Sequence, residues 1–227
     1  MVSVAIDGPA GAGKSSLARK AAEILGFIYV DTGALYRAVG LKFLRLGYDT
    51  RLECNADEIL ADTVVDIRFV NGEQRVFLDG EDVSDEIRTP MASMMASAVS
   101  AVPIVREYLL DMQRKLAKEN NVLMDGRDIG TVVLPDATVK IYLTASARVR
   151  ALRRYKELCE KGIQTTFDEV LGDIEKRDYN DMHRKTAPLR KADDAVIADT
   201  TDCNIEQSLE LILRIIRDGI GIENNVS

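Results

Sequence analysis

"AIDGPAGAGKSSLARKAA", residues 5–22, passes from a short apolar run through glycines to Lys-Ser-Ser and on to apolar residues at helical spacing. Within it "GPAGAGKS" matches G-x-x-x-x-G-K-S, with Gly8, Gly13, Lys14 and Ser15 at the defining positions. Glycines let backbone amides turn inward and approach phosphate oxygens closely. A helix starting near Gly13 adds its positive N-terminal end. Lys14 can reach terminal phosphates as a point charge, and the Ser15 hydroxyl can ligate Mg²⁺. A glycine-rich turn with no ligand is the plainer reading of so short a motif. Here, however, it follows a strand-like run, "VSVAID", and opens a helical pattern, which is the context a phosphate loop requires. Donor-nucleotide contacts are therefore expected across Gly8, Pro9, Ala10, Gly11, Ala12, Gly13, Lys14, Ser15 and Ser16.

Outside that loop the chain has the composition of a globular α/β protein. It is 227 residues long and 46% hydrophobic, enough for one generous domain with an inserted subdomain. A formal charge of −7 argues against a general nucleic-acid surface, so locally clustered basic residues are informative. No apolar run is long enough for a membrane span, and the N-terminus reads as a strand rather than a secretory signal. Cys54, Cys159 and Cys203 are widely spaced and odd in number, which fits a reduced cytoplasm. With His183 as the single histidine, any metal should be a hard ion on oxygen ligands. Short apolar segments, "FIYVD", "NVLMD", "VKIYL" and "DAVIAD", alternate with helical patterns. This predicts a mostly parallel sheet with helices on both faces. One segment breaks the rhythm: "TVVDIRFVNGEQRVFLDGEDVS" alternates like two strands around Asn71-Gly72, the signature of an antiparallel hairpin. It places an insertion at about residues 50–90.

A phosphate loop alone does not say whether a protein switches, pumps or transfers phosphate. The chain has no Asn-Lys-x-Asp guanine reader, and three clusters resemble a second, phosphate-accepting pocket. In "VDTGALYRA", Asp31 or Thr32 can cap the next helix, while Tyr36 and Arg37 follow one turn in, near the switch in strand order. In "NVLMDGRDIGTVVLPDA", an apolar strand delivers Asp125 and then Gly126, Arg127, Asp128 and Gly130 in a turn. Asp125 is placed to hold Mg²⁺ through water. Finally, Arg150, Arg153 and Arg154 form one basic helical face, and Arg177, Asp181 and Arg184 share another at helical spacing. Such runs are ordinarily solvated faces, the reading kept for Lys156, Lys161 and Lys176. Phosphoryl transfer, however, needs cations around three equatorial oxygens. Two arginine-bearing helices joined by "CEKGIQTT" fit a lid that excludes water.

Taken together, "IDGPAGAGKSS", "DTGALYRA", "EDVSDEIRTP", "VREYLL", "MDGRDIGTVVLPDA" and "KRDYNDMHRKTAPL" resemble the bacterial cytidylate kinases, from Ile6 to about Asp199 and in the expected order. The resemblance implies a three-layer α/β/α phosphate-loop fold with a central parallel sheet, a small antiparallel β-containing monophosphate-binding insert and a helical lid. The parts are expected at 1–49, 91–146 and 181–219 for the core, about 50–90 for the insert and about 147–180 for the lid, with a frayed tail at 220–227. It implies ATP + (d)CMP giving ADP + (d)CDP with Mg²⁺. Composition and cysteine usage lead to the expectation of a cytoplasmic protein that binds neither nucleic acid nor membrane, and with no sign of an obligate oligomer a monomer is expected. Carried over by motif, Arg37, Arg127 and Arg184 bind acceptor phosphate, and Ser97, Arg106 and Asp128 read the base. Arg177 and Asp181 handle the ribose with Tyr36 beside them, Thr32 lines the CMP site, and Arg153 lies toward ATP. Lys14, Arg127, Asp128 and Arg184 are the expected catalytic groups. Cytosine chemistry agrees, since its N4 amino group donates and a carboxylate is its natural acceptor. Other acceptors on the same core (UMP, AMP, dephospho-coenzyme A) and a nucleotide switch without transfer are the alternatives.

Overall fold

A computed structural model describes residues 1–71 and 73–221. Five strands form the central sheet: β1 (Ser3–Asp7), β2 (Ile28–Asp31), β6 (Val122–Gly126), β7 (Val139–Thr144) and β8 (Val196–Asp199). They are parallel, in the order β2-β6-β1-β7-β8. The central strands are apolar on both faces because helices cover both, as parallel sheets require. On one side Val4, Ile6, Leu123, Ile141 and Leu143 pack with Leu17 and Ala21 of α1 (Lys14–Leu25) and Ile212 and Ile216 of α8 (Ile205–Ile220). The alternate residues Ala5, Val30, Val122 and Met124 face the other side with Ile129 and Val133, against Leu110 and Leu116 of α5 (Pro103–Glu119). This gives the expected three layers.

The hairpin reading at residues 65–78 also matches. β3 (Val65–Val70) pairs antiparallel with β4 (Glu73–Leu78), and β4 with the short β5 (Glu81–Asp82). Asn71 enters the turn with φ 53°, whereas Gly72 lies outside the described residues. The small sheet does not bury its apolar face alone. Val65, Val76 and Leu78 share a core with Leu60 of α3 (Ala56–Ala61) and with α2 (Thr32–Arg45), α4 (Pro90–Val99) and α5, through Leu35, Val39, Phe43, Met95, Val99, Val105 and Leu109. The inserted sheet is thus seated on α2, the helix that carries Tyr36 and Arg37.

Parallel register lines up the carboxyl ends of three strands. Asp31 pairs with Asp125, and Asp7 with Gly126, so Asp31 and Asp7 end their strands and Asp125 stands one residue before the end of the strand between them, on the edge where the phosphate loop leaves β1. Past β7, α6 (Ala147–Glu160) and α7 (Phe167–His183) form an antiparallel pair closed by Ala151, Val170 and Ile174. A reciprocal Thr166–Glu169 capping box starts α7. At the C-terminus the structure amends the expected tail. Ile220 is the last residue of α8, and Gly221 ends the helix with φ 71°. Residues 222–227 lie outside the described ones.

Candidate active site

The phosphate loop leaves β1 at a point where only glycine fits. A Cβ on Gly8 would lie 1.9 Å from the Leu143 carbonyl oxygen on β7. Gly13, at φ 86°, precedes α1 without a side-chain cap, which leaves the first helix amides for a ligand. The Lys14 ammonium is buried and folds back across the loop, donating to the carbonyls of Gly8 and Pro9 at 2.7 Å each. Burial, and then the charge of Arg127, push its pKa well below the usual lysine value. Helices α6 and α7 hold the loop from outside. Arg150 Nη1 donates to the Ala10 carbonyl at 2.8 Å, the Ala10 amide donates to Asp178 Oδ1 at 3.3 Å, and Arg150 pairs with Asp178 at 2.7 Å. Ser16 is exposed on α1.

Beside the loop, β6 delivers Asp125 into a ring of hydroxyls. Ser15 Oγ donates to its carboxylate at 2.9 Å and the Tyr29 hydroxyl at 2.8 Å, while Thr32 Oγ1 donates to its backbone carbonyl at 2.7 Å. Burial, with Asp31 next to it, raises the Asp125 carboxyl to about 6. A hydroxyl and a carboxylate this close suit a hard divalent cation. Among the described residues no group of three or more His, Cys, Asp or Glu is arranged to hold a metal. A cation at Ser15 and Asp125 would therefore take most of its ligands from substrate and water.

Three arginines converge next to this pair. Arg37 Nη2 donates to Asp31 at 2.8 Å and Arg127 Nε to Asp181 at 2.7 Å. The buried Nε atoms of Arg37 and Arg177 have no hydrogen-bond partner among the described residues. Burial, then the charges of Arg127 and Arg37, lower Arg177 to about 10, against the opposing pull of Asp181 and Asp178. Buried donors with like charges around them are suited to an anion. Arg177, expected at the ribose, therefore sits electrostatically with Arg37 and Arg127.

A second group reads as a polar recognition pocket. Asp128 pairs with Arg106 from α5 and, at 3.3 Å, with Arg184; all three are buried or nearly so. Arg106 also donates to the Ser100 carbonyl at 3.3 Å, and Arg184 to the Ser100 hydroxyl at 3.1 Å. The Tyr36 ring lies 5.6 Å beneath the Arg106 guanidinium. Ser97 stands one turn earlier on α4, its carbonyl accepting from Ser100 Oγ at 2.9 Å. Nothing in the sequence marked Ser100, Tyr29, Asp178 or Gln113, whose buried amide nitrogen lacks a partner among the described residues. The signal available was their spacing from named residues: Gln113 lies two turns after Arg106, and Asp178 follows Arg177.

Two sequence expectations change. Arg184 does not share the α7 face with Arg177 and Asp181, because α7 ends at His183 and Arg184 is extended, with φ −62° and ψ 141°. That break carries its guanidinium to Asp128 and Ser100. Nor do Arg150, Arg153 and Arg154 act as one face. Arg150 holds the loop, Arg153 donates to Thr200 and Cys203 after β8, and Arg154 pairs with Glu157 on the exposed side.

The profile of the family described as Cytidylate kinase matches residues 4–218. The chain belongs to the cytidylate kinase family. It is 51% identical over 214 residues to a cytidylate kinase of Caldicellulosiruptor bescii, covering 94% of this chain and 95% of that one. It is 52% identical over 216 residues to that of Caldanaerobacter subterraneus subsp. tengcongensis, covering 95% of each. A gluconokinase from Sinorhizobium meliloti 1021 shares the fold at a TM-score of 0.51 and 13% identity, covering 97% of this chain and 95% of the other. Like its family, the chain is a phosphotransferase with a phosphate group as acceptor. No described helix is long and apolar enough to cross a membrane.

Proposed function

We propose that the chain transfers the γ-phosphoryl group of ATP to CMP and dCMP, giving ADP and CDP or dCDP. The observation that carries this reading is the pairing of two groups: a phosphate loop with Lys14, and a separate cationic cluster of Arg37, Arg127 and Arg177 whose Arg127 adjoins Asp128, itself paired with Arg106 and Arg184. Residues 8–16 hold the donor phosphates. Arg37, Arg127 and Arg177 take the acceptor phosphate. Asp128 accepts from the cytosine N4 amino group, with Arg106 and a serine of α4 or its end serving N3 and O2. Uracil carries an oxygen where cytosine carries N4, so a carboxylate there disfavours UMP. Tyr36, Thr32, Asp181 and Arg184 complete the acceptor site, and Arg153 shapes the segment after β8 on the donor side.

Transfer is direct and in line. An oxygen of the CMP phosphate forms the new P–O bond as the β–γ bridge breaks, and ADP leaves with the electron pair. That oxygen is already anionic at neutral pH, so no general base is needed. Lys14 and Arg127 neutralise the charge spread over the transferring group, where positioning and electrostatics supply most of the rate. Mg²⁺ fits Ser15 and Asp125, directly or through water, and would supply charge screening of the donor phosphates. The Ser15–Asp125 hydrogen bond keeps both oxygens together for it. The insert at about 50–90 closes over CMP and the α6–α7 lid over ATP, which keeps water from the phosphoryl group. The enzyme acts as a monomer in the cytoplasm.

A coupled ADP-release assay with ATP and a panel of monophosphates, with and without chelator, tests this. CMP and dCMP should turn over best, UMP poorly, and chelation should abolish all turnover. Equal turnover of UMP and CMP refutes the base reading, and ADP release without any acceptor refutes transfer.

A further inference from the structure

Asp7 is the last residue of β1, immediately before the phosphate loop, and nothing in the transfer chemistry uses it. It is 5% exposed. Its carboxylate makes two short bonds to one place: Oδ1 accepts from the Ile129 amide and Oδ2 from the Gly130 amide, both at 2.7 Å. These are the first two amides of a single π-helical turn, Ile129–Val133, and the first amides of any helical turn lack partners within it. Asp128, at the head of the turn, gives it no side-chain cap, because its carboxylate is committed to Arg106 and Arg184. The capping role that a neighbouring side chain usually fills is thus taken by a residue more than a hundred positions away.

We infer that Asp7 is a positioning residue for the acceptor base: by clamping the Ile129–Val133 turn it fixes the Asp128 carboxylate and sets the preference for cytosine over uracil. The inference rests on the base reading given under Proposed function. With one oxygen on each of two successive amides, the carboxylate blocks rotation of the turn as well as its translation. A side chain at Gly130 would press on the Lys140 chain at 3.2 Å and touch Asp7 Oδ2 at 3.4 Å, so the carboxylate approaches the turn on the face that glycine leaves open. Arg127, just before Asp128, is tied instead to Asp181 on α7 at 2.7 Å. Loosening the turn should therefore disturb the base contact more than the phosphate contact. A buried carboxylate is costly to keep, and the two amides are what holds it there.

Asp7→Asn tests this while keeping the shape, since one acceptor oxygen becomes an amide group that donates into an N–H. The quantity to measure is the ratio of kcat/KM for CMP to kcat/KM for UMP, at fixed ATP. Any loss of folded enzyme, and any effect passed to the donor through Lys14, scales both substrates alike and leaves the ratio untouched. The ratio should fall about tenfold, the size expected for one lost buried hydrogen bond, and mainly through the KM for CMP. Asp7→Ser, which keeps one small acceptor, carries the same expectation and serves where the Asp7→Asn variant does not accumulate. An unchanged ratio in a variant of an enzyme that itself prefers CMP overturns the inference alone. A wild-type enzyme with no preference for CMP over UMP overturns the base reading and the inference with it.

Discussion

Replacing Asp7 by Asn should also change the pH dependence of folding, and in one direction only. Burial raises the Asp7 carboxyl from 3.8 to about 6, with Asp128 adding to the rise and the two backbone amides and Lys14 opposing it. The folded protein therefore binds this proton more tightly than the unfolded chain does. The stability it confers is full below about pH 3.8 and is lost as pH rises through about 6. At about 1.36 kcal/mol per tenfold change in proton affinity, the whole effect is about 3 kcal/mol, of which about 2 kcal/mol falls between about pH 4.5 and 7.5. The side-chain amide introduced by Asp7→Asn does not titrate, so the wild-type advantage over that variant should shrink by that amount across the range. Groups remote from Asp7 titrate in both proteins and cancel in the difference, among them Asp82, held near 2 by Ser84 and Arg75. The lost acceptor adds a constant offset of about 1–3 kcal/mol that does not vary with pH. Urea unfolding followed by far-UV circular dichroism at several pH values gives the difference, provided the m-values agree. A difference that stays flat, or grows, with rising pH would mean that burial does not control this carboxyl.

Two further substitutions probe the loop and the anion site. Gly8→Ala drives a Cβ to 1.9 Å from a β7 carbonyl with backbone on both sides, so thermal unfolding should show a loss of at least about 3 kcal/mol. An unchanged Tm would show that β1 and β7 separate easily there. Arg177→Ala removes one of three like charges and a buried unpartnered donor. The KM for CMP should rise about tenfold or more while the KM for ATP holds and the ligand-free protein loses no thermal stability. A matching rise in the KM for ATP would place Arg177 on the donor instead.

Much of the architecture was legible because its signals are local. Apolar β-branched runs predicted all five strands of the main sheet, and the alternation around Asn71 predicted the β3–β4 hairpin. Helical spacing was a poorer guide at the edges of helices. Residues 177, 181 and 184 fit one face only if the helix continues, and the extended backbone at Arg184 ends it. Spacing of i, i+3 and i+4 likewise made Arg150, Arg153 and Arg154 look alike. Their different partners (the loop, the segment after β8, and Glu157) lie 140, 47 and 3 residues away.

What the sequence determined by itself was the phosphate-loop turn, because GPAGAGKS sets it within eight consecutive residues and short-range sterics fix its shape. The resemblance of further motifs to one family named the acceptor. The tertiary structure alone decided which residues work together. Sheet order sets β6 between β1 and β2, which brings Asp125 within 2.9 Å of Ser15 across 110 residues and places the Asp7 carboxylate under the turn that carries Asp128. Strand order follows from packing helices on both faces of the sheet, and no local spacing encodes it.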